Sequence, residues 1–272
     1  MPANPRTLQA TEAYRRRVIG TRKALQGRAE RLWPTIQQLD DTAWSAQMAA
    51  AVAQSQTEAV RITSGYLGAV LTLETGKRTA PPPIDPSRYA GLTRDGRTLS
   101  EAFQSPLIGV LGKLKEGGDY LDALKFGLNR ATRMVGVEYD WSHHQSMMDA
   151  IAEDDRFDGW QRSLAGTCGA CASVAGGVSH AVQFEVHPGC QCVAIAVVVG
   201  VVAKIAVPTG QEVFNAKTVE QQDEMLGPEP AALVRDGAIT LSDLYERSPL
   251  EEGDDFITQK PLKRLINKTQ EV

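Results

Sequence analysis

Five residues that favour metal binding lie within 25 consecutive positions. Cys168 and Cys171 are separated by two residues, and His187, Cys190 and Cys192 follow in the string H-P-G-C-Q-C. The chain has no other cysteine. A C-x-x-C arm followed by a second arm of soft ligands is typical of a tetrahedral zinc site. The sequence therefore predicts a bound Zn²⁺ with five candidate ligands for four positions, and it does not say which candidate is left over.

We expect this zinc site to be structural and not catalytic. A catalytic zinc keeps one position open for water and has a carboxylate base nearby. Here the candidate ligands exceed four, and Glu185 is the only acid between the two arms. Two disulfides, or buried thiols without a metal, are the alternatives for the four cysteines.

The sequence gives little support for a catalytic site elsewhere in the chain. His143 and His144 are adjacent in a predicted helix, where their side chains point about 100° apart. We expect them at the surface or at the edge of a core. Neither G-x-S-x-G, H-E-x-x-H nor a phosphate-binding glycine pattern occurs. The four histidines still allow a Ser–His pair assembled by the fold, for which Ser179 and His180 are the residues to test.

Composition narrows the class of protein. The 272 residues are 42% hydrophobic and 23% charged, as in ordinary globular proteins, and the net charge of −4 argues against nucleic-acid binding by bulk attraction. The polar N-terminus predicts no signal peptide, and four clustered cysteines indicate a reducing compartment. The apolar run 193–207 is shorter than the roughly 20 residues of a membrane helix and predicts a buried strand or a hairpin turning near Gly200.

The predicted fold class is α+β, with long helices in the N-terminal part and a small C-terminal α+β module that carries the Cys/His cluster. The pattern divides the chain into a helical region, a Pro-rich linker, a second helical region, the Cys/His module and a tail, at 1–78, 79–97, 98–155, 156–250 and 251–272. The linker is expected to be extended and to separate the two helical regions.

The first helix carries the candidate partner-binding residues. Val18, Leu25 and Leu32 repeat every seven positions and form a seam, interrupted by Arg22, that suits packing on another helix. We expect this seam to dock on a partner protein or on a neighbouring copy. A basic run precedes and overlaps it: Arg15, Arg16, Arg17. A solvated helix face is the ordinary interpretation of that run, and contact with DNA or an acidic protein is the more specific one.

The remaining helix signals are local. Pro34 is expected to end the first helix, and Asp41 or Thr42 to begin a second that runs to about Thr75. Near the C-terminus, residues 218–221 form a predicted capping box, Gly227 and Gly237 end successive helices, and Ser242 opens a further short one.

Two ordered blocks resemble the phage Mu F-like head morphogenesis family of tailed bacteriophages. The first block joins F-D-G-W at 157–160, C-G-A-C-A-S-V-A-G at 168–176 and V-H-P-G-C-Q-C-V at 186–193. The second joins Q-Q-D-E-M-L-G at 221–227 to R-D-G-A-I-T-L-S-D-L at 235–244. The resemblance extends over about residues 120–245. The chain departs from the family's H-P-N-C-R-C at two positions, Gly189 and Gln191.

The resemblance implies a minor capsid protein of the virion. It would sit at the portal vertex or in the capsid interior, in several copies, and would assist head assembly, DNA packaging or DNA ejection. The implied partners are the portal protein, the major capsid protein and packaged DNA through the basic N-terminal helix, with no membrane. The protein would reside in the host cytoplasm during assembly. A capsid maturation protease or other hydrolase is the first alternative, and an internal DNA-binding virion protein is the second.

Overall fold

The fold is α+β, as predicted, with long helices and two separate antiparallel strand pairs in the part of the chain that is described. The computed structural model describes residues 4–33, 41–166, 168–181, 184, 190–201, 208–249 and 255–259, without the side chains at 41, 42, 246–249 and 255–259. The chain forms two compact units. The helical unit comprises Gln9–Thr72 with Gly76–Ala150, and the C-terminal unit comprises Ile151–Val272 with Met1–Leu8 and Leu73–Thr75.

Five helices occur among the described residues up to 153. They are α1 (Pro5–Leu32), α2 (Asp41–Thr75), α3 (Leu99–Ala102), α4 (Ser105–Lys115) and α5 (Tyr120–Glu153). The predicted start of α2 at Asp41 and its end at Thr75 are confirmed. Pro34 itself lies outside the described residues, and α1 ends two positions before it. A capping box between Thr98 and Glu101 begins α3.

The apolar faces of α1, α2 and α5 form the core of the helical unit. Val18 and Leu25 are 2% and 5% exposed, and the core continues through Val60 of α2 and Val135 of α5. The seam read from the sequence therefore packs on other helices of the same chain. Aromatic contacts extend this core, with the Trp33 and Trp44 rings 5.1 Å apart and the second ring 6.1 Å from that of Phe103.

Buried polar side chains in the helical unit bond to one another. The Tyr14 hydroxyl lies 3.0 Å from the Thr63 hydroxyl and 3.4 Å from Nδ1 of His143. Arg22 is 5% exposed and donates to Asp140 at 2.7 Å. The arginine that interrupts the seam is thus paired across to α5, which removes the cost of burying its charge alone.

The Pro-rich segment is not a spacer, and this corrects the expected separation of the two helical regions. The Ser64 hydroxyl of α2 donates to the Pro82 carbonyl at 2.6 Å. A Cβ atom on Gly68 would lie 2.8 Å from the Cβ of Pro81, so the segment passes directly over a glycine of α2. Tyr89, which follows the prolines, is 2% exposed. The helices before and after the segment consequently belong to one unit.

The C-terminal unit begins with a strand pair around a short helix. Strand β1 (Phe157–Ser163) pairs antiparallel with β2 (Val193–Val198), with Trp160 opposite Ala196, and helix α6 (Gly169–Ser173) lies between them in sequence. The buried strand predicted in the apolar run is confirmed by β2. A turn lies at Gly200, whose φ of +75° favours glycine. The returning strand of the alternative hairpin would fall on residues 202–207, which lie outside the described part, so the hairpin stays a prediction.

Three short helices and a second strand pair complete the unit. They are α7 (Gly210–Asn215), α8 (Val219–Leu226), α9 (Pro228–Arg235), β3 (Tyr245–Pro249) and β4 (Asp255–Gln259). The capping box at 218–221 and the helix end at Gly227 are confirmed. Gly237, with a φ of +72°, follows the end of α9. Two expectations are corrected: Thr240, not Ser242, caps the 3₁₀ helix Leu241–Leu244, and β4 forms a strand within the expected tail.

None of the helices in the described ranges combines the length and the apolar character needed to span a bilayer.

The Arg22–Asp140 pair predicts a strong stability effect in the helical unit. In Asp140→Asn the buried guanidinium loses its counter-charge, and we expect the free energy of unfolding to fall by about 3–5 kcal/mol. Chemical denaturation followed by circular dichroism measures this change. Glu58→Gln is the matched control, because the Arg17–Glu58 pair has side chains 61% and 45% exposed, against 6% and 13% for Arg22 and Asp140. The control should cost no more than about 1 kcal/mol, and equal losses in both variants would contradict this assignment.

Candidate metal centre

Two backbone segments bring the cysteines together in the C-terminal unit. Cys168 is the N-cap of α6 and Cys171 lies in its first turn. Cys190 and Cys192 immediately precede β2, whose pairing with β1 fixes their position. Side chains two residues apart in an extended segment point to the same face. The fold therefore presents one thiol from the helix and two from the segment before the strand at the same place.

Three of the four thiols form a compact buried group. The Sγ atoms of Cys171, Cys190 and Cys192 all lie within 4.8 Å of one another. Their side chains are 1%, 3% and 1% exposed. The Sγ atoms of Cys171 and Cys190 are 3.5 Å apart, which is far longer than the roughly 2.05 Å of a disulfide. None of the four cysteines forms a disulfide in this structure.

The electrostatics of this group favour a bound cation. Hydrogen bonds to Cys168, Cys190 and Cys192, and then burial, raise the pKa of the Cys171 thiol above its ordinary value. For Cys192, a hydrogen bond with Cys171 lowers the pKa, but the Cys190 contact and burial outweigh it and raise the pKa to about 11. Adjacent buried thiols cannot all ionise unless a positive charge compensates them. A metal ion would supply that charge and hold the thiolates.

The spacing of the thiols suits one ion. Zinc–sulfur bonds of about 2.3 Å at tetrahedral angles place two sulfurs about 3.8 Å apart. The observed 3.5 Å between Cys171 and Cys190 is close to this separation. The group can hold a metal ion with at least three protein ligands.

The five predicted ligands divide into three sets. Cys171, Cys190 and Cys192 are brought together. Cys168 is half-buried and lies outside the mutual group, although its thiol hydrogen-bonds to that of Cys171. His187 lies outside the described residues, so its predicted role stays a prediction.

Close packing behind α6 fixes the position of Cys168 and Cys171, and the local sequence does not reveal this contact. Gly169 lies in α6 and its φ is not positive. A Cβ atom there would collide with the Tyr245 hydroxyl, would lie 2.5 Å from Cδ2 of Leu226 and would lie 3.0 Å from the Met225 carbonyl oxygen. Gly210, at the start of α7, likewise has no room for a Cβ atom against the Ala172 carbonyl.

A small hydrophobic cluster surrounds this contact. Its buried members come from α6, α7, α8, α9, the 3₁₀ helix and the segment just before that helix: Ala172, Phe214, Met225, Leu226, Ala231, Val234, Ile239, Leu241, Leu244. Tyr245 packs against them, and burial, together with the charges of Cys168 and Cys171, raises its pKa to about 12. The cysteine arm and the apolar cluster are therefore parts of one core.

The expected docking seam on α1 is corrected. Val18 and Leu25 are buried inside the helical unit and are not accessible to a partner, and Leu32 is half-buried. The seam fails as a docking surface because α2 and α5 of the same chain already cover it.

The basic run is only partly accessible. Arg15 bonds to Glu12 at 2.6 Å, and its side chain is 14% exposed. Arg17 bonds to Glu58 at 2.6 Å. Arg16 is exposed. Two of the three predicted contacts are thus engaged by acids of the helical unit, which reduces the positive charge available to DNA or to an acidic protein.

The expectation for the histidine pair is wrong. His143 and His144 are 2% and 4% exposed, and their ring centroids lie 4.0 Å apart in the helical unit. Asp140 approaches Nε2 of His143 to 3.6 Å. The Tyr14 hydroxyl on α1 allows the His143 ring to be buried, and the sequence of α5 alone does not reveal that partner.

A shallow groove of 430 Å³ lies between α1 and α2 in the helical unit. Its floor includes the stacked rings of Tyr14 and Tyr66, with centroids 4.5 Å apart, and its rim carries Arg17, Glu58 and Arg61. The Tyr14 hydroxyl bonds to Thr63 and His143 in the core, so it is not presented to the groove for acid–base chemistry.

No protein-family model, curated protein or solved structure matches the chain. The residues themselves are therefore what carry the resemblance described above.

The packing at Gly169 predicts that one added methyl group disturbs the cysteine arm. In Gly169→Ala the new Cβ meets Tyr245, Leu226 and a backbone carbonyl, and we expect a loss of about 1–3 kcal/mol in the stability of the C-terminal unit. Thermal unfolding and metal content measure the effect.

Gly177→Ala is the control for this prediction, because Gly177 is exposed and nothing lies within 4 Å of its Cβ position. It should change stability by no more than about 1 kcal/mol. If Gly169→Ala is as stable as this control, the close contact behind α6 is wrong.

Proposed function

We propose that the chain is a structural minor capsid protein of a tailed bacteriophage, and that a bound zinc ion cross-links its C-terminal unit. The observation that carries the proposal is the buried group of Cys171, Cys190 and Cys192, which lies inside the string that resembles the phage Mu F-like head morphogenesis family. The proposed role is to assist head assembly, DNA packaging or DNA ejection from the portal vertex or the capsid interior.

Contacts between the two blocks of residues that carry the family resemblance support this proposal. Gly169 and Cys171 belong to the first block, and Met225, Leu226 and Leu244 belong to the second. The Leu226 side chain and the Met225 carbonyl lie against Gly169, and Leu244 is in the same apolar cluster as α6. Two strings more than 40 residues apart in sequence are thus parts of one packed core, as expected if they were inherited together.

Zinc is the metal that we propose for the thiol group. Buried thiolates are soft ligands, and a site closed to solvent suits a structural ion rather than one that must bind water and substrate. The C-terminal unit has a small apolar cluster and short strands. Metal binding would therefore contribute directly to its folding free energy.

The proposed partners are the portal protein, the major capsid protein and packaged DNA. Burial of Val18 and Leu25 removes the seam as the contact surface, so the exposed Arg16 is the α1 residue that we retain for an acidic partner or DNA. The proposed location is the virion, with several copies per particle, and the host cytoplasm during assembly.

A capsid maturation protease or other hydrolase is the second candidate. The residues to test for it are Ser179 and His180, which lie beside Gly159 of β1, where Nδ1 of His180 lies 3.2 Å from the Cβ position. The Ser179 hydroxyl accepts a hydrogen bond from the Ala181 backbone N–H at 3.2 Å. Replacing Ser179 or His180 should leave capsid processing intact under the structural proposal and abolish it under the hydrolase proposal.

Zinc binding predicts a metal content and a stability change. The purified protein should contain about one zinc per chain, and a strong chelator should lower the melting temperature, because the binding free energy of the ion is lost. Cys171→Ser should lose the zinc and the same stability. His180→Ala is the control, since His180 is exposed and outside the thiol group. Metal-free protein with unchanged stability would reject the zinc proposal.

The capsid proposal predicts where the protein is found. Purified phage particles should contain it at a few to a few dozen copies, and cryo-electron microscopy should place it at the portal vertex or on the inner capsid surface. Quantitative mass spectrometry of intact particles measures the copy number, with the portal protein as the internal standard. Particles that are infectious and lack the chain would refute the proposal.

A further inference from the structure

We propose that Cys168 supplies the fourth zinc ligand, so that the site is an all-thiolate centre of Cys168, Cys171, Cys190 and Cys192 and His187 is not a ligand. This inference rests on the proposed zinc and decides between Cys168 and His187, the two predicted ligands outside the group of Cys171, Cys190 and Cys192.

The contact between Cys168 and Cys171 is the first argument. The two thiols share a hydrogen bond, and Cys171 is itself within 4.8 Å of Cys190 and Cys192. Cys168 thus already touches the buried group. A side-chain rotamer change is a small rearrangement beside the roughly 10–16 kcal/mol released when structural zinc binds.

The backbone around Cys168 is the second argument. Its carbonyl accepts the Ala172 N–H at 3.0 Å, which ties Cys168 to the helix that carries Cys171. Its side chain makes no capping hydrogen bond to α6. Cys168 and Cys171 both raise the pKa of Tyr245, so both thiols lie near the Tyr245 hydroxyl.

Exposure is the third argument. The three grouped thiols are buried, whereas Cys168 is half-buried. Its side chain is therefore less enclosed than the other three and can turn towards the group to supply the fourth ligand. One zinc ion accepts four ligands in a structural site, so coordination by Cys168 excludes His187.

An all-thiolate zinc centre carries two net negative charges and needs donors around its sulfurs. The Ala165 backbone N–H donates to the Cys192 sulfur. Such bonds to sulfur are part of the support that tunes and orients metal ligands. Replacing one thiolate by a neutral imidazole would halve the net charge, which makes the two ligand sets distinguishable.

X-ray absorption at the zinc edge of the intact protein tests this directly, because sulfur ligands lie at about 2.3 Å and imidazole nitrogen at about 2.0–2.1 Å. We expect four sulfurs and no nitrogen. Three sulfurs and one nitrogen would overturn the all-thiolate assignment and leave the zinc proposal standing. A protein that binds no zinc would overturn the zinc proposal itself.

Two variants give an independent readout through zinc affinity, measured by competition with a chelating dye. Loss of an outer partner typically costs about 10–100-fold in affinity. We expect Cys168→Ser to weaken binding by more than about a hundredfold and His187→Ala to weaken it by less than about tenfold. The reverse order would assign the fourth position to His187.

Discussion

The stability of the C-terminal unit depends on the free-energy cost of burying ionisable thiols next to one another, away from water. Cys171, Cys190 and Cys192 are almost fully buried, and each sulfur is within 4.8 Å of the others. Without a cation the group must hold its protons, as the raised pKa of Cys171 indicates. With a cation the same arrangement becomes a cross-link between α6 and the segment before β2. The short elements of this unit then depend on the link for part of their stability.

In the helical unit, buried charged and polar side chains pair with one another. Arg22 and Asp140 are paired at 2.7 Å, and the Tyr14 hydroxyl contacts Thr63 and His143. There the charge of Arg22 and the hydroxyl of Tyr14 are compensated by side chains of neighbouring helices. The same pairing removes the hydrophobic seam of α1 from the surface. The repeat of apolar residues in α1 therefore identified a packing face correctly. It did not show which helices cover that face, because α2 and α5 lie outside the sequence of α1.

Much of the fold could be predicted because it is local. Helix ends at Thr218 and Gly227 follow from capping chemistry within a few residues, and β2 follows from a β-branched run. The spacing of the cysteines also pointed to the buried thiol group. What could not be read were non-local contacts: the proline segment on Gly68, the burial of His143, and the need for glycine at position 169. Each depends on an atom supplied by a distant part of the chain.

The two positions at which the chain departs from the motif of the resembled family can be compared with this geometry. Gly189 lies outside the described residues, and Gln191, where that motif has arginine, is exposed between two buried cysteines. Burial alternates along this segment, so Cys190 and Cys192 point inward and Gln191 points outward. The residue type at position 191 therefore changes the surface over the thiols and leaves the thiols themselves in place. If that surface contacts a partner, Gln191 affects which partner is bound, whereas the thiol group is preserved.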